Sequence, residues 1–263
     1  MARLDSELVA RGLVSGRDRA SGLIRAGRVT VNGVPVTKPA SQVTESDILE
    51  AFDDPYVGRG GLKLARALDA FHLDVTGMRS VDLGASTGGF TDCLLQHGAA
   101  FVCAVDVGHD QLDPRLRIDS RVRSLEGVNA RSLTVEMVGF QPDIITADLS
   151  FISQRVIYPV IASLLHESGV AVTLVKPQFE AGRAHVGKGG VVHDRAVHLR
   201  VLTELETAAA EYGLFPSGAC VSPIRGQDGN IEYLICYTKR RVDSRPDYAA
   251  LTACGKVQGG NKA

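Results

Sequence analysis

Residues 81–91 read Val81-Asp82-Leu83-Gly84-Ala85-Ser86-Thr87-Gly88-Gly89-Phe90-Thr91. The run from Arg79 to Leu83 reads as a strand, and the residues after the Gly-rich turn form a helix through Leu94 and Leu95. Glycines at such a strand-to-helix turn let a ligand approach the backbone, and the helix N-terminus favours an anionic group. The pattern is neither of the two common nucleotide fingerprints. Ser86 occupies the second glycine position of G-x-G-x-x-G, and the G-K-[ST] of a P-loop is missing. A tight turn with packing glycines is the plain alternative reading.

Outward from this turn, strands and helices alternate. Ala100 to Val105 and Asp143 to Ala147 read as strands, Ile152 to Leu165 as a helix, and Val170 to Val175 as a further strand. A long helix spans about 195–212, and β-rich stretches follow at Cys220-Val221 and Tyr233 to Tyr237. This order predicts an α/β fold with a doubly wound, mostly parallel sheet. Ligands then bind at the carboxyl ends of the strands. Asp106 ends the second strand, 22 residues after Gly84, where an acid reaches ribose hydroxyls; capping a helix is its bland alternative. Asp148 and Lys176 each finish an apolar run in the same way. Such a lysine usually surfaces, but partly desolvated beside other charges it acts as a base. Glu232 opens a late strand and Lys63 begins the helix before the first one, so both are candidates for the same crevice.

The chain has 263 residues, 44% hydrophobic and 22% charged, with a formal net charge of -1. Taken whole, that balance gives no support for a nucleic-acid partner. The average conceals an asymmetry. From Met1 to Lys38 seven bases (Arg3, Arg11, Arg17, Arg19, Arg25, Arg28, Lys38) face three acids, whereas 39–58 holds five acids and no base. Arg59 to Arg66 adds a second basic block. The first 50 or so residues predict two short helices, the second capped by Ser15, and a hairpin around Asn32-Gly33. The arginines there are either an ordinary solvated face or a phosphate-binding surface. Asp53-Asp54-Pro55 marks a domain boundary. The five cysteines form no C-x-x-C pair and the seven histidines no H-E-x-x-H, so no metal is expected. With no signal-like start and no run of about 20 apolar residues, the expectation is a cytoplasmic protein without a membrane partner.

Together these residues resemble the TlyA family of rRNA 2′-O-methyltransferases, whose catalytic domain is FtsJ-like. The matching motifs are, in order, Arg59-Gly60-Gly61-x-Lys63-Leu64, the 82–91 loop, 147–152, 175–180, Gly189 to Asp194 and Asn230-x-Glu232-Tyr233. Residues 1–52 are similar to the RNA-binding domain first seen in ribosomal protein S-four. The resemblance implies a Rossmann-like, S-adenosylmethionine-dependent methyltransferase sheet with helices on both faces, preceded by a small α+β RNA-binding domain. The implied layout is 1–52 for RNA binding, 53–60 as linker, 61–240 as catalytic domain and 241–263 as a partly flexible extension. It implies a catalytic tetrad of Lys63, Asp148, Lys176 and Glu232, with Lys176 sharing the hydroxyl proton. It assigns S-adenosylmethionine to Asp82, Gly84, Ala85, Ser86, Thr87, Gly88, Gly89, Phe90, Asp106, Glu126, Asn129 and Asp148. Arg3, Arg11, Arg17, Arg19, Arg25, Arg28, Lys38 and Arg59 would meet RNA, and Phe151 and Phe179 would stack on bases or simply pack.

The family's target is a cytidine in large-subunit rRNA, which longer members supplement with one in small-subunit rRNA. The partner expected is therefore rRNA within ribosomal subunits, bound by a monomer. Two other readings remain to be weighed: a NAD-dependent oxidoreductase, against which Ser86 argues, and a haemolysin, a label that has followed the family.

Overall fold

The computed structural model describes residues 1–52, 55–226, 228–243 and 245–253. Cys254 and the tail 255–263, read from sequence as frayed, lie outside the described residues, as do Asp53 and Asp54. The chain divides into two units, Met1–Pro55 and Tyr56–Ala263.

In the first unit, β1 (Ala2–Arg3) leads into α1 (Leu4–Ala10), followed by α2 (Arg17–Arg25) and β2 (Val29–Val31). Strands β3 (Val34–Pro35), β4 (Gln42–Val43) and β5 (Leu49–Ala51) complete it. The sheets are β3-β2-β5 and β1-β4. Leu4 and Leu8 on α1 and Ala20 and Ile24 on α2 recur at i, i+4 and are fully buried, closing a small core with Val29. Asn32 and Gly33 both take positive φ, as the two-residue hairpin turn requires. Ser15 does not cap α2; Gly16 holds that position, without a side-chain bond.

The second unit opens with α3 (Gly60–Ala70), β6 (Arg79–Leu83), α4 (Gly89–Gln96), β7 (Phe101–Val105), α5 (Pro114–Arg117) and β8 (Val122–Leu125). It continues through α6 (Val135–Val138), β9 (Ile144–Ala147), α7 (Tyr158–Leu164), β10 (Val170–Val175), α8 (Pro177–Glu180) and α9 (Arg195–Ala210). Strands β11 (Phe215–Val221) and β12 (Tyr233–Thr238) and helix α10 (Tyr248–Ala253) end it. Seven strands form one sheet in the order β11-β12-β10-β9-β6-β7-β8. All neighbours are parallel except β12, which runs antiparallel to β10 and β11.

Side chains alternate across the strands and fill two cores. Val102 and Ala104 of β7 join Leu64 of α3, Leu94 of α4 and Leu116 of α5. Cys103 and Val105 face the other way, toward Tyr158 of α7, Leu202 of α9 and Tyr248 of α10. The sheet thus carries helices on both faces. Its strand order reverses between β6 and β9, and this switch point is where such sheets place ligands.

Three local expectations change. The helix expected over 152–165 is broken: a 3₁₀ turn at Gln154–Val156 precedes α7, which has Pro159 in its first turn. Proline has no N–H to donate and is tolerated only there. Residues 56–58, expected as linker, pack on the second unit, with the Val57 N–H donating to Asp92 Oδ2 at 2.8 Å. In the expected extension, Tyr248 is buried and Arg245 pairs with Glu206 at 2.7 Å, so its described part is anchored by α10.

Candidate active site

Sheet register brings together four charged side chains that are far apart in sequence. Leu83 of β6 stands opposite Ala147 of β9, and the Asp148 N–H donates to the Leu83 carbonyl at 3.0 Å. Val175 of β10 stands opposite Tyr233 of β12, so Lys176 and Glu232 leave the same rung. Lys63, in the first turn of α3, completes the group. Lys63 Nζ lies 2.6 Å from Glu232 Oε2 and 3.9 Å from Asp148 Oδ2, and Lys176 Nζ lies 2.6 Å from Asp148 Oδ1. The two short contacts lack hydrogen-bond alignment, so Asp148 Oδ1 and Glu232 Oε2 are enclosed acceptors held by charge. Lys176 donates to Ser150 Oγ at 2.7 Å. Its side chain is only 11% exposed, so this lysine does not surface. A Cβ at Gly226 would lie 2.6 Å from Glu232 Oε1, a close approach that a bare backbone permits.

The loop after Asp148 is fixed by buried polar bonds. Glu180 of α8 accepts from Ser153 Oγ at 2.6 Å and from the Gln154 N–H at 2.8 Å. Burial pushes the Glu180 carboxyl up, and these donors oppose that shift. The Gln154 amide donates to Leu174 O at 2.7 Å and accepts from Thr173 at 2.7 Å and Tyr158 at 3.2 Å. So tethered, the loop displays Phe151 at positive φ, 90% exposed, with its ring centroid 5.0 Å from that of Phe179.

Beside the tetrad, at the switch point, lies a cleft of about 800 Å³. Gly84, Ser86, Asp106, Asn129 and Asp148 of the predicted residues line it. Gly84 has φ +80°, and a Cβ there would come within 2.6 Å of the Asp148 carbonyl oxygen. Asp106 accepts from the N–H groups of Ser86 and Gly108, both at 2.8 Å, which fixes the carboxylate at the end of β7. Asn129 also accepts from the Arg131 N–H at 3.0 Å. Sequence reasoning missed Val107, Gln111 and Val128 on the same wall, where nothing but their neighbourhood to Asp106 and Asn129 could have signalled them. An anchored carboxylate, an apolar wall and a glycine-bared strand end fit an adenosine bearing an amino-acid tail.

The other predicted cofactor residues serve the turn instead of lining the cleft. Ala85, Gly88, Gly89 and Phe90 are buried, Phe90 within the core, and the Thr87 carbonyl accepts from the Asp113 N–H at 3.1 Å. Glu126 pairs with Arg117 at 3.1 Å and accepts from the Asp110 N–H at 3.1 Å, and it is not among the residues that line the cleft. Asp194, at the end of the Gly189 to Asp194 motif, accepts from the Ala196 N–H and caps α9.

Asp82 is fully buried, accepting from Thr91 Oγ1 at 2.7 Å and Thr146 Oγ1 at 2.9 Å, and burial pushes its carboxyl up to about 6. A raised carboxyl pKa favours the native state at low pH. Stability is therefore expected to fall as pH rises from about 4 through 6, by about 3 kcal/mol from this group. Urea unfolding of the wild type and Asp82→Asn across pH 4–7 checks this. The wild type should lose stability relative to the variant as pH rises, and a constant difference would refute it.

In the first unit the candidate arginines divide. Buried Asp5 accepts from Arg3 at 3.0 and 2.7 Å and lies 3.6 Å from Arg17. These guanidinium groups hold its carboxyl well below the usual range. Arg11 turns inward, to Glu7 at 2.8 Å and to the carbonyls of Asp47 and Thr44 at 2.7 and 2.9 Å. It ties the unit together, which corrects its reading as an outward RNA contact. Arg17, Arg19, Arg25 and Lys38 are exposed and Arg28 is half-buried. In the second unit, exposed Arg59 donates to the Arg225 carbonyl at 2.8 Å and borders the tetrad groove.

Residues 56–239 match the FtsJ-like methyltransferase family, and residues 2–49 match the S4 domain family. The 16S/23S rRNA (cytidine-2′-O)-methyltransferase TlyA of Mycobacterium tuberculosis is 46% identical over 89% of this chain and 88% of its own length. The chain belongs to the TlyA family. A second TlyA relative, the 23S rRNA (cytidine-2′-O)-methyltransferase of Campylobacter jejuni, is 30% identical over 88% of this chain and 97% of its own. Among solved structures, a hemolysin from Streptococcus thermophilus has a TM-score of 0.74 at 40% identity, covering 95% of this chain and 94% of that one. In this TlyA-family chain no helix among the described residues is long and apolar enough to cross a membrane.

Proposed function

We propose that this chain methylates the ribose 2′-hydroxyl of a cytidine in 23S rRNA, using S-adenosylmethionine. The observation that carries the reading is the Lys63–Glu232 and Lys176–Asp148 cluster at the edge of the cleft, on a TlyA-family chain. The cofactor supplies an electrophilic methyl group. Asp106 would hold its ribose hydroxyls, Val107 and Val128 would flank its base, and the Gly84 turn would admit its amino-acid end.

A ribose hydroxyl is a weak nucleophile until a base shares its proton. Lys176 Nζ is the group placed to take that proton, and Asp148 Oδ1 and Ser150 Oγ, at 2.6 and 2.7 Å, hold the resulting ammonium. Lys63, set between Glu232 and Asp148, keeps both carboxylates oriented. Phe151 and Phe179 offer the stacking surface for the acceptor base. Positioning of hydroxyl and methyl donor supplies much of the remaining acceleration. Arg17, Arg19, Arg25, Arg28 and Lys38, with Arg59 at the groove, contact rRNA phosphates, and binding weakens with salt.

The related enzymes differ in named scope, one acting on 16S and 23S rRNA and one on 23S rRNA. We include 16S rRNA as a second candidate substrate, to be read in the same transfer assay. Calorimetry is expected to show saturable binding of S-adenosylmethionine and none of NAD. Asp106→Ala should weaken that binding at least about tenfold, since it removes charge-assisted bonds to two hydroxyls. Binding of NAD in place of S-adenosylmethionine would overturn the assignment.

A further inference from the structure

One partly buried carboxylate near the site has no part in the chemistry described above. Glu180 ends α8, one turn after Lys176, and its two oxygens accept separately. Oε2 accepts from Ser153 Oγ at 2.6 Å and Oε1 from the Gln154 N–H at 2.8 Å. A charged acceptor grips two neutral donors more firmly than a neutral one would. The loop it grips has few other holds. Asp148 is tied to β6 through its N–H, and Leu149 rests on the core. Beyond that, none of the backbone N–H groups from 149 to 153 bonds to a backbone carbonyl among the described residues. Lys176 holds the loop at Ser150 Oγ, 2.7 Å away, and Glu180 holds its far end. Ser150 and Phe151 border both the larger cleft and the tetrad groove. The loop is thus a shared wall of the two.

We infer that Glu180 is a positioning residue for methyl transfer: through Ser153 and Gln154 it sets where Ser150 and Phe151 stand between methyl donor and acceptor. This rests on the function proposed above. Lys176 and Glu180 come from one short segment, so the loop is registered twice against the same backbone. The first hold places Ser150 against Lys176 Nζ. The second keeps Phe151 beside Phe179, with 5.0 Å between ring centroids. Transfer between two bound groups depends on alignment, and a misplacement of about 1 Å costs on the order of 100-fold. A loop released at its far end therefore loses rate at saturation more than it loses affinity.

The test is single-turnover transfer of labelled methyl by the full chain, with large ribosomal subunits and S-adenosylmethionine both saturating. Glu180→Ala should slow transfer at least about tenfold, while the calorimetric Kd for S-adenosylmethionine rises less than about threefold. Glu180→Gln, whose amide accepts from the Gln154 N–H and donates to Ser153 Oγ, should recover most of the rate. Ser153→Ala breaks one of the two bonds and should slow transfer by about threefold. The double variant Ser153→Ala/Glu180→Ala should be about as slow as Glu180→Ala alone, because both substitutions break the same link. Ser153→Ala at the wild-type rate would overturn the inference, whether or not Glu180→Ala folds. A folded Glu180→Ala at that rate, or effects that multiply in the double variant, would overturn it too. A wild type that methylates no rRNA would overturn the underlying function instead.

Discussion

Lys176→Ala is expected to abolish detectable methyl transfer, by a factor on the order of 10²–10⁴, while S-adenosylmethionine affinity changes less than about threefold. The two effects separate because Lys176 borders the acceptor groove and is absent from the lining of the larger cleft. Lys176→Arg sharpens the result. A guanidinium keeps the positive charge beside Asp148 but does not give up its proton in a protein, so this variant should be nearly as inactive. Recovery of most activity in the arginine variant would make Lys176 an electrostatic anchor and remove it as the base. Near-normal turnover in the alanine variant would remove it from the mechanism altogether.

Lys63→Met is expected to lower both stability and activity. It leaves the Glu232 carboxylate, whose side chain is 3% exposed, without its 2.6 Å counter-charge. Breaking a buried pair from one side typically costs about 3–5 kcal/mol, because the remaining charge is uncompensated. The double variant Lys63→Met/Glu232→Gln removes both charges. It should recover most of the stability, measured by denaturant unfolding, and none of the activity, because the tetrad is still dismantled. A single variant within about 1 kcal/mol of wild type would show that water reaches Glu232 and that the pair is not structurally demanding.

The strands were legible because they are apolar runs punctuated by chemistry: Leu83 before Gly84, Ala147 before Asp148, Val175 before Lys176. Their order in the sheet, the meeting of Lys63 with Glu232, and the shared rung of Lys176 and Glu232 depend on register between distant segments. Local pattern does not encode these, and resemblance to the TlyA family supplied only the membership of the tetrad. Residues that serve one another across the fold stayed hidden. The Glu180 bonds to Ser153 and Gln154 span 27 and 26 residues, and the inward turn of Arg11 depends on carbonyls 33 and 36 residues away. A helical arginine looks solvated until its partners are known. Charge averaging misled similarly, since a net charge of -1 conceals the basic block of 1–38.

The most direct test of the function is transfer of labelled methyl from S-adenosylmethionine to separated small and large ribosomal subunits, with mapping of the modified nucleotide. The account predicts label on the 2′-oxygen of a cytidine in the large-subunit rRNA, lost with Lys176→Ala. Label on a base or on protein, or no transfer to either subunit, would contradict it.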